Sequence, residues 1–348
     1  MTDLPVMMRG VWLTGHGDMS KLDIRRDIPV PVPGPHDVLV RVAAAGVNNT
    51  DVNTRTAWYS KKKAAIEDAS WSGRPISFPR IQGIDVCGRI VAVGSDVSSG
   101  RIGERVLIEP CLREAHGIEL DQPWFLGSEC DGGFAEFTVV ATRHAHKIDS
   151  ELSDIDLASF PCSYSTAENM LTRARVKSGE RVLITGASGG VGSAAVQLAK
   201  ARDAYVWAVT TSAKSDALKE LGADETISRE TDLIAEPGAN SVDVVVDLVA
   251  GNKWPQYLDV LRPGGRYAVA GAIAGPLVEL DVRTLYLKDL SLFGCTVLEP
   301  EVFKNLIKCI EQGAIKPVVA NSFALEEIRD AQTLFLKKQH VGKIVLKI

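Results

Sequence analysis

The strongest constraint on the fold of this chain is a glycine-rich turn, VLITGASGGVG, at residues 182–192. An apolar segment enters the turn and an amphipathic segment leaves it, which predicts a strand followed by a helix. The backbone amides at the start of such a helix, together with the helix dipole, can hold a pyrophosphate. Gly192 would allow close packing of helix on strand, and Gly189 close approach of a phosphate. We therefore predict a dinucleotide site with contacts from Gly186, Ser188, Gly189, Gly190 and Val191.

The segments around this turn predict a doubly wound α/β domain. From about residue 155 apolar strands such as RVLITG, YVWAVT and VDVVVDLVAG alternate with helical segments such as AKSDALKELGA and WPQYLDVLRPGG. Strands that are apolar throughout are typical of a parallel sheet covered by helices on both faces. We predict a Rossmann-type NAD(P)-binding domain over residues 158–297.

The first part of the chain has a different composition, rich in Gly, Pro and β-branched residues. The segments 37–47, 88–94 and 132–140 alternate apolar and polar residues as strands do. They predict a mostly antiparallel β domain at residues 1–157. We expect residues 298–348, which contain two helical segments and the strand GKIVLKI, to fold back on that domain.

Composition and charge exclude several classes of partner. The formal net charge of −5 offers no electrostatic reason to bind nucleic acid or an anionic membrane. The chain contains no apolar run of roughly 18 residues, and its N-terminus lacks the features of a signal peptide. Its six cysteines form no CxxC pair, so we expect a cytoplasmic protein without disulfides.

The end of the next predicted strand, Tyr205–Val209, indicates which nicotinamide cofactor is used. NAD sites usually place a carboxylate here to accept a hydrogen bond from the ribose 2′-hydroxyl. This strand is instead followed by TTSAK, with no acidic residue before Asp216. Hydroxyls and a lysine would attract a 2′-phosphate, which favours NADPH. The candidate contacts are Thr210, Ser212 and Lys214, with Arg229 a weaker one and Leu248 and Gly271 at the ends of later strands.

Two of these residues have a simpler interpretation. Ser212 is also explained as a neutral helix cap, and Lys214 as a surface lysine.

Seven segments in matching order carry a resemblance that covers essentially the whole chain. They are PGPHDVLVRV, GVNNTDVNTRTAWYS, GIDVCGRIVAVGSDV, DGGFAEFTVV, GASGGVG, LRPGGRYAVAG and GKIVLKI. With them the chain resembles the medium-chain dehydrogenase/reductase superfamily, and most closely its zinc-free quinone oxidoreductase branch, which includes ζ-crystallin. The resemblance implies a GroES-like catalytic domain before the Rossmann domain.

The same resemblance addresses the question of a catalytic metal. Zinc-dependent alcohol dehydrogenases of this superfamily hold zinc with a Cys, a His and a later Cys. The corresponding positions here are Asn48, Ile84 and Cys162. An amide and an aliphatic side chain do not supply the ligand set that zinc prefers, so we expect no catalytic metal.

A structural zinc lobe is not expected either. Residues 109–130 contain only Cys111 and Cys130 instead of four cysteines. His144 and His146 are one residue apart on a predicted strand, so both can face the same way. We interpret them as surface imidazoles and not as metal ligands.

Without a metal, hydrogen bonds must polarise the acceptor. The segment 46–60 follows the quinone oxidoreductase pattern at Asn48, Asp51, Arg55 and Tyr59 and departs from it at Asn53, where Tyr is common. The resemblance implies that Asn48 and Tyr59 lie near the nicotinamide. Our hypothesis is that Tyr59, Asn48 or a water donates toward the developing oxyanion. Thr166 is a further candidate for the same pocket.

The alternative interpretations are structural. Tyr59 could be a packing aromatic beside Trp58, and Asn48 an amide that fixes a loop. We expect Asp51 to be structural and Arg55 to anchor a loop.

An insertion at residues 61–77 lies outside the family pattern. We interpret its Lys61–Lys63 run as a solvated face. Because it enters near the expected substrate position, the insertion could form a lid carrying Trp71 or Phe78.

These observations predict an NADPH-dependent, zinc-independent reductase of quinones or α,β-unsaturated carbonyls. One alternative is a zinc-free carbonyl reductase or alcohol dehydrogenase. Another is a cofactor-binding structural or RNA-binding protein, although the acidic net charge argues against RNA. We expect a homodimer or homotetramer, because LSLFGCTV at 290–297 could pair as a sheet edge, unless it is an ordinary buried strand.

Overall fold

The structure is a computed structural model that describes residues 4–61, 69–71, 73 and 75–348. Its chain divides into two compact units. The first unit contains residues 1–162, 319–339 and 343–348, and the second contains residues 163–318 and 340–342. Lys62, Lys63 and most of the predicted insertion lie outside the described residues.

Eighteen strands are defined in the described residues. In chain order they are β1 (Met7–Leu13), β2 (Leu22–Pro29), β3 (Asp37–Val47), β4 (Arg80–Ile81), β5 (Cys87–Val93), β6 (Arg105–Ile108), β7 (Cys111–Ala115), β8 (Ile118–Phe125), β9 (Phe137–Ala141), β10 (Ala145–Lys147), β11 (Arg181–Ile184), β12 (Tyr205–Thr210), β13 (Glu225–Ser228), β14 (Val242–Asp247), β15 (Leu261–Val269), β16 (Ser291–Gly294), β17 (Val319–Ala324) and β18 (Lys343–Lys347).

Nine α-helices accompany these strands in the same residues. They are α1 (Asn49–Arg55), α2 (Asp154–Leu157), α3 (Pro161–Arg173), α4 (Gly190–Lys200), α5 (Ser215–Glu220), α6 (Trp254–Asp259), α7 (Val282–Leu287), α8 (Val302–Glu311) and α9 (Ile328–Leu336). Within the described part of the chain, no helix combines the length and the apolar character that a membrane span requires.

The first unit is built on a mixed sheet that is mostly antiparallel. Its strand order is β10-β6-β5-β3-β18-β17, and β9 also pairs with β3. β3 is the long central strand, and most of its side chains are buried. The C-terminal strand β18 pairs antiparallel with the end of β3, Ile344 opposite Val47. This pairing brings the last residues of the chain to the segment that follows β3.

The second unit contains a six-stranded sheet in the order β13-β12-β11-β14-β15-β16. All of its strand pairs are parallel. Successive strands run outward from β11 in one direction and then outward from β14 in the other. Ligands bind at such a reversal, outside the carboxyl ends of the strands. The predicted architecture, a mostly antiparallel β domain with a Rossmann-type parallel-sheet domain, is therefore confirmed.

The units divide the chain at different positions from the predicted limits of 157/158 and 297/298. The segment 298–318 belongs to the second unit, and the return to the first unit begins at Val319. Hydrogen bonds explain this assignment. The Asn169 side chain bonds Val297 and Glu299, and Tyr164 donates to the Lys316 carbonyl at 2.6 Å.

Candidate active site

The glycine-rich turn joins β11 to α4 in the second unit. Gly186 has φ +56°, a conformation that favours glycine. Gly189 caps the helix with extended backbone, and α4 begins at Gly190. The first amides of a helix have no partner inside it, so those of Gly190 and Val191 are suited to an anion. The Ser188 carbonyl accepts a hydrogen bond from the Gly342 amide at 3.0 Å, which ties the turn to a second glycine segment.

Gly189 and Gly192, which the sequence analysis assigned to phosphate binding and to helix packing, differ in their surroundings. A Cβ on Gly192 would lie 2.6 Å from the Ala187 Cα, closer than any stable contact. A Cβ on Gly189 would meet nothing nearer than the Gly186 carbonyl oxygen at 3.5 Å. The protein therefore needs glycine at 192 for its own packing, whereas the open side of Gly189 leaves room for a phosphate. The turn fits a dinucleotide.

The ends of β14 and β15 lie beside the same turn. A Cβ on Gly186 would contact Val249 at 3.2 Å, and one on Gly271 would lie 2.7 Å from the Leu248 carbonyl oxygen. The predicted residues Gly186, Leu248 and Gly271 are thus brought together at one edge of the sheet.

A buried carboxylate organises this edge. Asp247, at the end of β14, accepts hydrogen bonds from the hydroxyls of Thr185 and Tyr267, both at 2.5 Å. It also accepts from the amides of Val249 at 2.9 Å and Ala250. This carboxylate therefore holds the loop after β14 against the strand that leads into the glycine turn. The sequence analysis did not single out Asp247.

The residues predicted to select the cofactor lie at the ends of β12 and β13. Thr210 pairs with Ser228, and the Arg229 amide donates to the Thr210 carbonyl at 2.9 Å. The Thr210 hydroxyl is buried and, among the described residues, has no hydrogen-bond partner. Ser212 and Arg229 are exposed.

Lys214 is half-buried at the same edge, and its ammonium donates to the His340 carbonyl at 3.0 Å. Burial, and then the neighbouring charge of Arg229, lower the pKa of Lys214. Two cations within electrostatic range at the strand ends make an anion favourable there.

In the first unit, a buried polar cluster follows β3. The Lys343 ammonium contacts the Asn48 amide oxygen at 2.5 Å and the Asp85 carboxylate at 2.7 Å. The Asn48 amide nitrogen donates to the same Asp85 oxygen at 2.8 Å. The other Asp85 oxygen accepts from the Cys162 backbone amide at 2.5 Å. Asp85 is 0% exposed and Lys343 2%, so the ion pair is shielded from water.

The resemblance aligns three positions in or next to this cluster, Asn48, Ile84 and Cys162, with the zinc ligands of the alcohol dehydrogenases. Asn48 is bonded to a lysine ammonium, and Ile84 is buried and apolar. Cys162, the third position, is half-buried in the first unit. In the described residues, no group of three or more His, Cys, Asp or Glu side chains is arranged to hold a metal ion.

Asp51 and Arg55 act within and around helix α1. The Asp51 carboxylate accepts the Asn48 amide at 2.8 Å and the Gly83 amide at 3.3 Å, so it caps the start of the helix. Burial raises the pKa of Asp51 to about 7, and the nearby Asp85 charge adds to the increase against the lowering effect of the Asn48 amide. Arg55 donates to the Gly17 carbonyl at 2.7 Å and to Gln332 at 3.1 Å.

Tyr59 is half-buried beside the same helix. Its hydroxyl is hydrogen-bonded to the side chains of Thr50 and Asn53. Burial raises the pKa of Tyr59 to about 12, against the lowering effect of these two bonds, so the phenol keeps its proton at neutral pH. Its ring lies 5.5 Å from Trp58 and 5.5 Å from Trp71.

Of the residues predicted to act on the acceptor, Asn48 and Tyr59 belong to the first unit. Thr166 belongs to the second, where it is half-buried in α3. Trp71, in the insertion, contacts Tyr59, whereas Phe78, directly after the insertion, packs edge-to-face on His16 at 4.9 Å.

The interpretation of His144 as a surface imidazole is wrong. His144 is 1% exposed, and its Nε2 accepts hydrogen bonds from the amides of Arg113 and Glu114. Its Nδ1 therefore carries the proton and donates to Glu109 at 3.2 Å, and His146 contacts the same carboxylate oxygen at 3.2 Å. Burial opposes the ionisation of Glu109, but the two imidazoles outweigh it and lower its pKa to about 2.

The sequence reasoning missed Thr50, Asp85, Asp247 and Lys343. Asp85 and Lys343 lie within segments that carried the resemblance, GIDVCG and GKIVLKI, but they are 258 residues apart. An acid and a lysine at otherwise apolar positions were the only signal that could have identified them.

Comparison with known proteins gives two family matches. Residues 34–150 match the family described as alcohol dehydrogenase GroES-like domain. Residues 190–312 match the family described as zinc-binding dehydrogenase. Together these matches cover more than half of the chain.

Individual relatives match almost the full length. A quinone oxidoreductase from Lama guanicoe is 30% identical over 354 residues, covering 98% of this chain and 97% of that protein. An acryloyl-coenzyme A reductase from Metallosphaera sedula is also 30% identical, with 97% and 99% covered. The crystal structure of a candidate alcohol dehydrogenase from Sinorhizobium meliloti 1021 is similar, with a TM-score of 0.91 and 42% identity, covering 100% of this chain and 98% of that one.

Two alanine substitutions test the glycine turn. We expect Gly189→Ala to fold with unchanged thermal stability but to bind a dinucleotide about 5-fold to 100-fold more weakly, because a methyl group would occupy the space left for phosphate. Gly192→Ala should lower the free energy of unfolding by about 1–3 kcal/mol through overpacking. Thermal melts and fluorescence titration with NADPH measure both effects. Unchanged NADPH affinity of Gly189→Ala would contradict the assignment.

Proposed function

Since the chain belongs to the medium-chain dehydrogenase/reductase superfamily and is an oxidoreductase, we propose that it uses NADPH to reduce a quinone or an α,β-unsaturated carbonyl without a catalytic zinc. When bound, NADPH supplies a hydride, and the reduced product also takes up a proton from water. Similar proteins include a quinone oxidoreductase and an acryloyl-coenzyme A reductase, which supports an acceptor of this class.

The choice of NADPH is supported by the charges at the ends of β12 and β13. Lys214 and Arg229 are close enough to lower the pKa of the lysine, and Ser212 adds an exposed hydroxyl. A 2′-phosphate between the two cations would relieve their repulsion and accept hydrogen bonds from them. In the second unit, all of whose residues are described, no acidic side chain stands between Thr210 and Lys214.

One observation carries the proposal of zinc independence. The Lys343 ammonium is bonded to the Asn48 amide oxygen, which corresponds to the position of a zinc-binding sulfur. A zinc ion at this point would be repelled by the buried ammonium and would find an amide and an aliphatic chain where it needs thiolate and imidazole. The Asn48 and Asp85 oxygens are therefore better suited to the Lys343 ammonium than to a zinc ion.

Tyr59 and Asn48 are the groups that can polarise the acceptor in place of a metal. A phenol whose pKa is about 12 donates a hydrogen bond at neutral pH and does not act as a base. Such a donor stabilises the negative charge that develops on a carbonyl or quinone oxygen. The Asn48 amide is held by Asp85 and Lys343 and is therefore rigid.

An aromatic ladder supports a flat, conjugated acceptor over a small aliphatic one. It consists of Tyr59, Trp71 and Phe125, with the Trp71 and Phe125 rings stacked at 4.3 Å and 23°. Planar π systems pack favourably on aromatic faces. Within the ladder, the Trp71 indole donates a hydrogen bond to Thr50, which also interacts with Tyr59.

We also propose that the protein forms homodimers or homotetramers through the free edge of the second unit's sheet. Among the described residues, β16 pairs only with β15, which leaves its other side without a neighbouring strand. The segment 273–292, which runs into this strand, carries a set of exposed apolar side chains, with Leu277 91% exposed. An open edge and an apolar surface together favour association. The other members of the set are Ile273, Val282, Tyr286, Leu287 and Leu292.

The proposed reaction is tested by NADPH oxidation against quinones, enones and saturated aldehydes, each with and without a chelator. We expect oxidation with a quinone or an enone, no effect of the chelator, and less than one bound metal ion per chain. NADPH without acceptor is the control. Activity with saturated aldehydes alone would favour the carbonyl reductase alternative, and loss of activity with the chelator would overturn zinc independence.

Cofactor selectivity is tested by the double variant Lys214→Ala with Arg229→Ala. Removing two charged donors should raise the KM for NADPH about 10-fold to 100-fold and leave that for NADH nearly unchanged. Lys219→Ala, on the exposed face of α5, is the matched control and should behave as the unmodified protein. An equal increase in the KM values for NADPH and NADH would argue against a 2′-phosphate contact.

The proposed association is measured by sedimentation of the purified protein and of Leu292→Asp. We expect the unmodified protein to be a dimer or tetramer and the variant to dissociate, because a carboxylate would be buried at the β16 edge. A monomeric unmodified protein would refute the proposal.

A further inference from the structure

The described part of the insertion contributes one side chain to the surroundings of Thr50 and Tyr59 in the first unit. The Trp71 indole N–H donates a hydrogen bond to the Thr50 hydroxyl. The Trp71 ring also stacks on Phe125 at 4.3 Å and lies against Tyr59 at 5.5 Å. Thr50 and Phe125 are both buried, so Trp71 is fixed by two buried partners and by Tyr59.

The number of donors and acceptors in each group determines the direction of these hydrogen bonds. A threonine hydroxyl has one proton to donate and two lone pairs to accept, whereas an indole nitrogen only donates. Trp71 therefore occupies a lone pair of Thr50. The second partner of the Thr50 hydroxyl is the Tyr59 hydroxyl. A hydroxyl that accepts one hydrogen bond becomes a stronger donor in the next, so the Thr50 proton is directed toward the Tyr59 oxygen.

The same counting determines where the Tyr59 proton lies. If the phenol oxygen accepts from Thr50, its own proton remains available for another acceptor. The Asn53 side chain lowers the pKa of Tyr59, as an amide N–H that donates to the phenol oxygen does, so it does not take this proton. A carbonyl or quinone oxygen that carries developing negative charge is a strong acceptor for this proton.

We propose that Trp71 is a positioning residue which, through Thr50, orients the Tyr59 hydroxyl to donate its hydrogen bond to the substrate oxygen. This inference rests on the proposed reductase function, because it assigns Trp71 a role in that reaction. It gives the insertion, which departs from the superfamily pattern, a specific chemical contribution. Trp71 itself acts at a distance, through one intervening hydroxyl.

The variant Trp71→Phe separates the hydrogen bond from the packing. Phenylalanine keeps an aromatic ring against Phe125 and Tyr59 but lacks the N–H. We expect kcat to fall about 3-fold to 10-fold, the value of one hydrogen bond, while the KM for NADPH changes by less than about 2-fold. Trp58→Phe is the matched control, since Trp58 also contacts Tyr59 at 5.5 Å but makes no bond to Thr50, and its kcat should stay within about 2-fold of the unmodified value.

Variants of Thr50 distinguish positioning from a merely structural role. Thr50→Val removes the hydroxyl at nearly constant shape and should lower kcat at least as much as Trp71→Phe. Thr50→Ser restores the hydroxyl and should restore most of the rate. The double variant Thr50→Val with Trp71→Phe should be no slower than Thr50→Val alone, because both changes break one chain of bonds. Independent effects that multiply, or an unchanged kcat for Trp71→Phe, would overturn the inference.

A spectroscopic readout keeps this test separate from the test of the reaction. With ¹⁵N-labelled tryptophan, the six tryptophans of the chain give six indole N–H signals, and the one missing in Trp71→Phe belongs to Trp71. Its proton shift should move upfield in Thr50→Val and remain in place in Thr50→Ser. A protein that shows this shift but oxidises no NADPH with any acceptor refutes the proposed function and with it the catalytic role of the bond. If the protein is active but the Trp71 signal does not move in Thr50→Val, only the inference about Trp71 is refuted.

Discussion

The Lys343 ammonium, held between the Asn48 amide and the Asp85 carboxylate, is the interaction on which the first unit's candidate site depends. Both charged groups are almost fully buried, so neither can be removed alone without leaving an uncompensated charge. The pair also joins the C-terminal strand to the segment after β3. It therefore fixes the amide of Asn48 and places a buried positive charge beside it.

A fixed cation changes the chemistry that this segment can support. In the proposed zinc-free reaction, this ammonium is already paired, and activation of the acceptor would fall to neutral donors such as Tyr59. Burial keeps this phenol protonated, and the bonds from Thr50 and Asn53 hold it in one orientation. Rigid, pre-oriented donors stabilise developing charge without reorganisation during the reaction. The second unit follows the same principle, since Asp247 holds the loop beside the glycine turn with several hydrogen bonds.

Much of the fold could be predicted from the sequence because its strands and its glycine turn have clear local residue patterns. The alternation in residues 37–47 predicted β3 with the bounds that the structure has. The glycine turn predicted a strand, a turn and a helix in the correct order, and the predicted cofactor residues all lie at the carboxyl edge of one parallel sheet. His144 was misjudged because its spacing from His146 carries no information about burial, and Glu109, its partner, lies 35 residues earlier.

The sequence by itself determined the two kinds of sheet, the dinucleotide turn and the loss of zinc-binding residue types, since each depends on neighbouring residues or on residue identity. Only the tertiary structure decided that Lys343 meets Asp85, that Trp71 reaches Thr50 and that residues 298–318 belong to the second unit. Such contacts join residues far apart in the chain. Their formation depends on how strands pair and helices pack, which no local pattern of residues encodes.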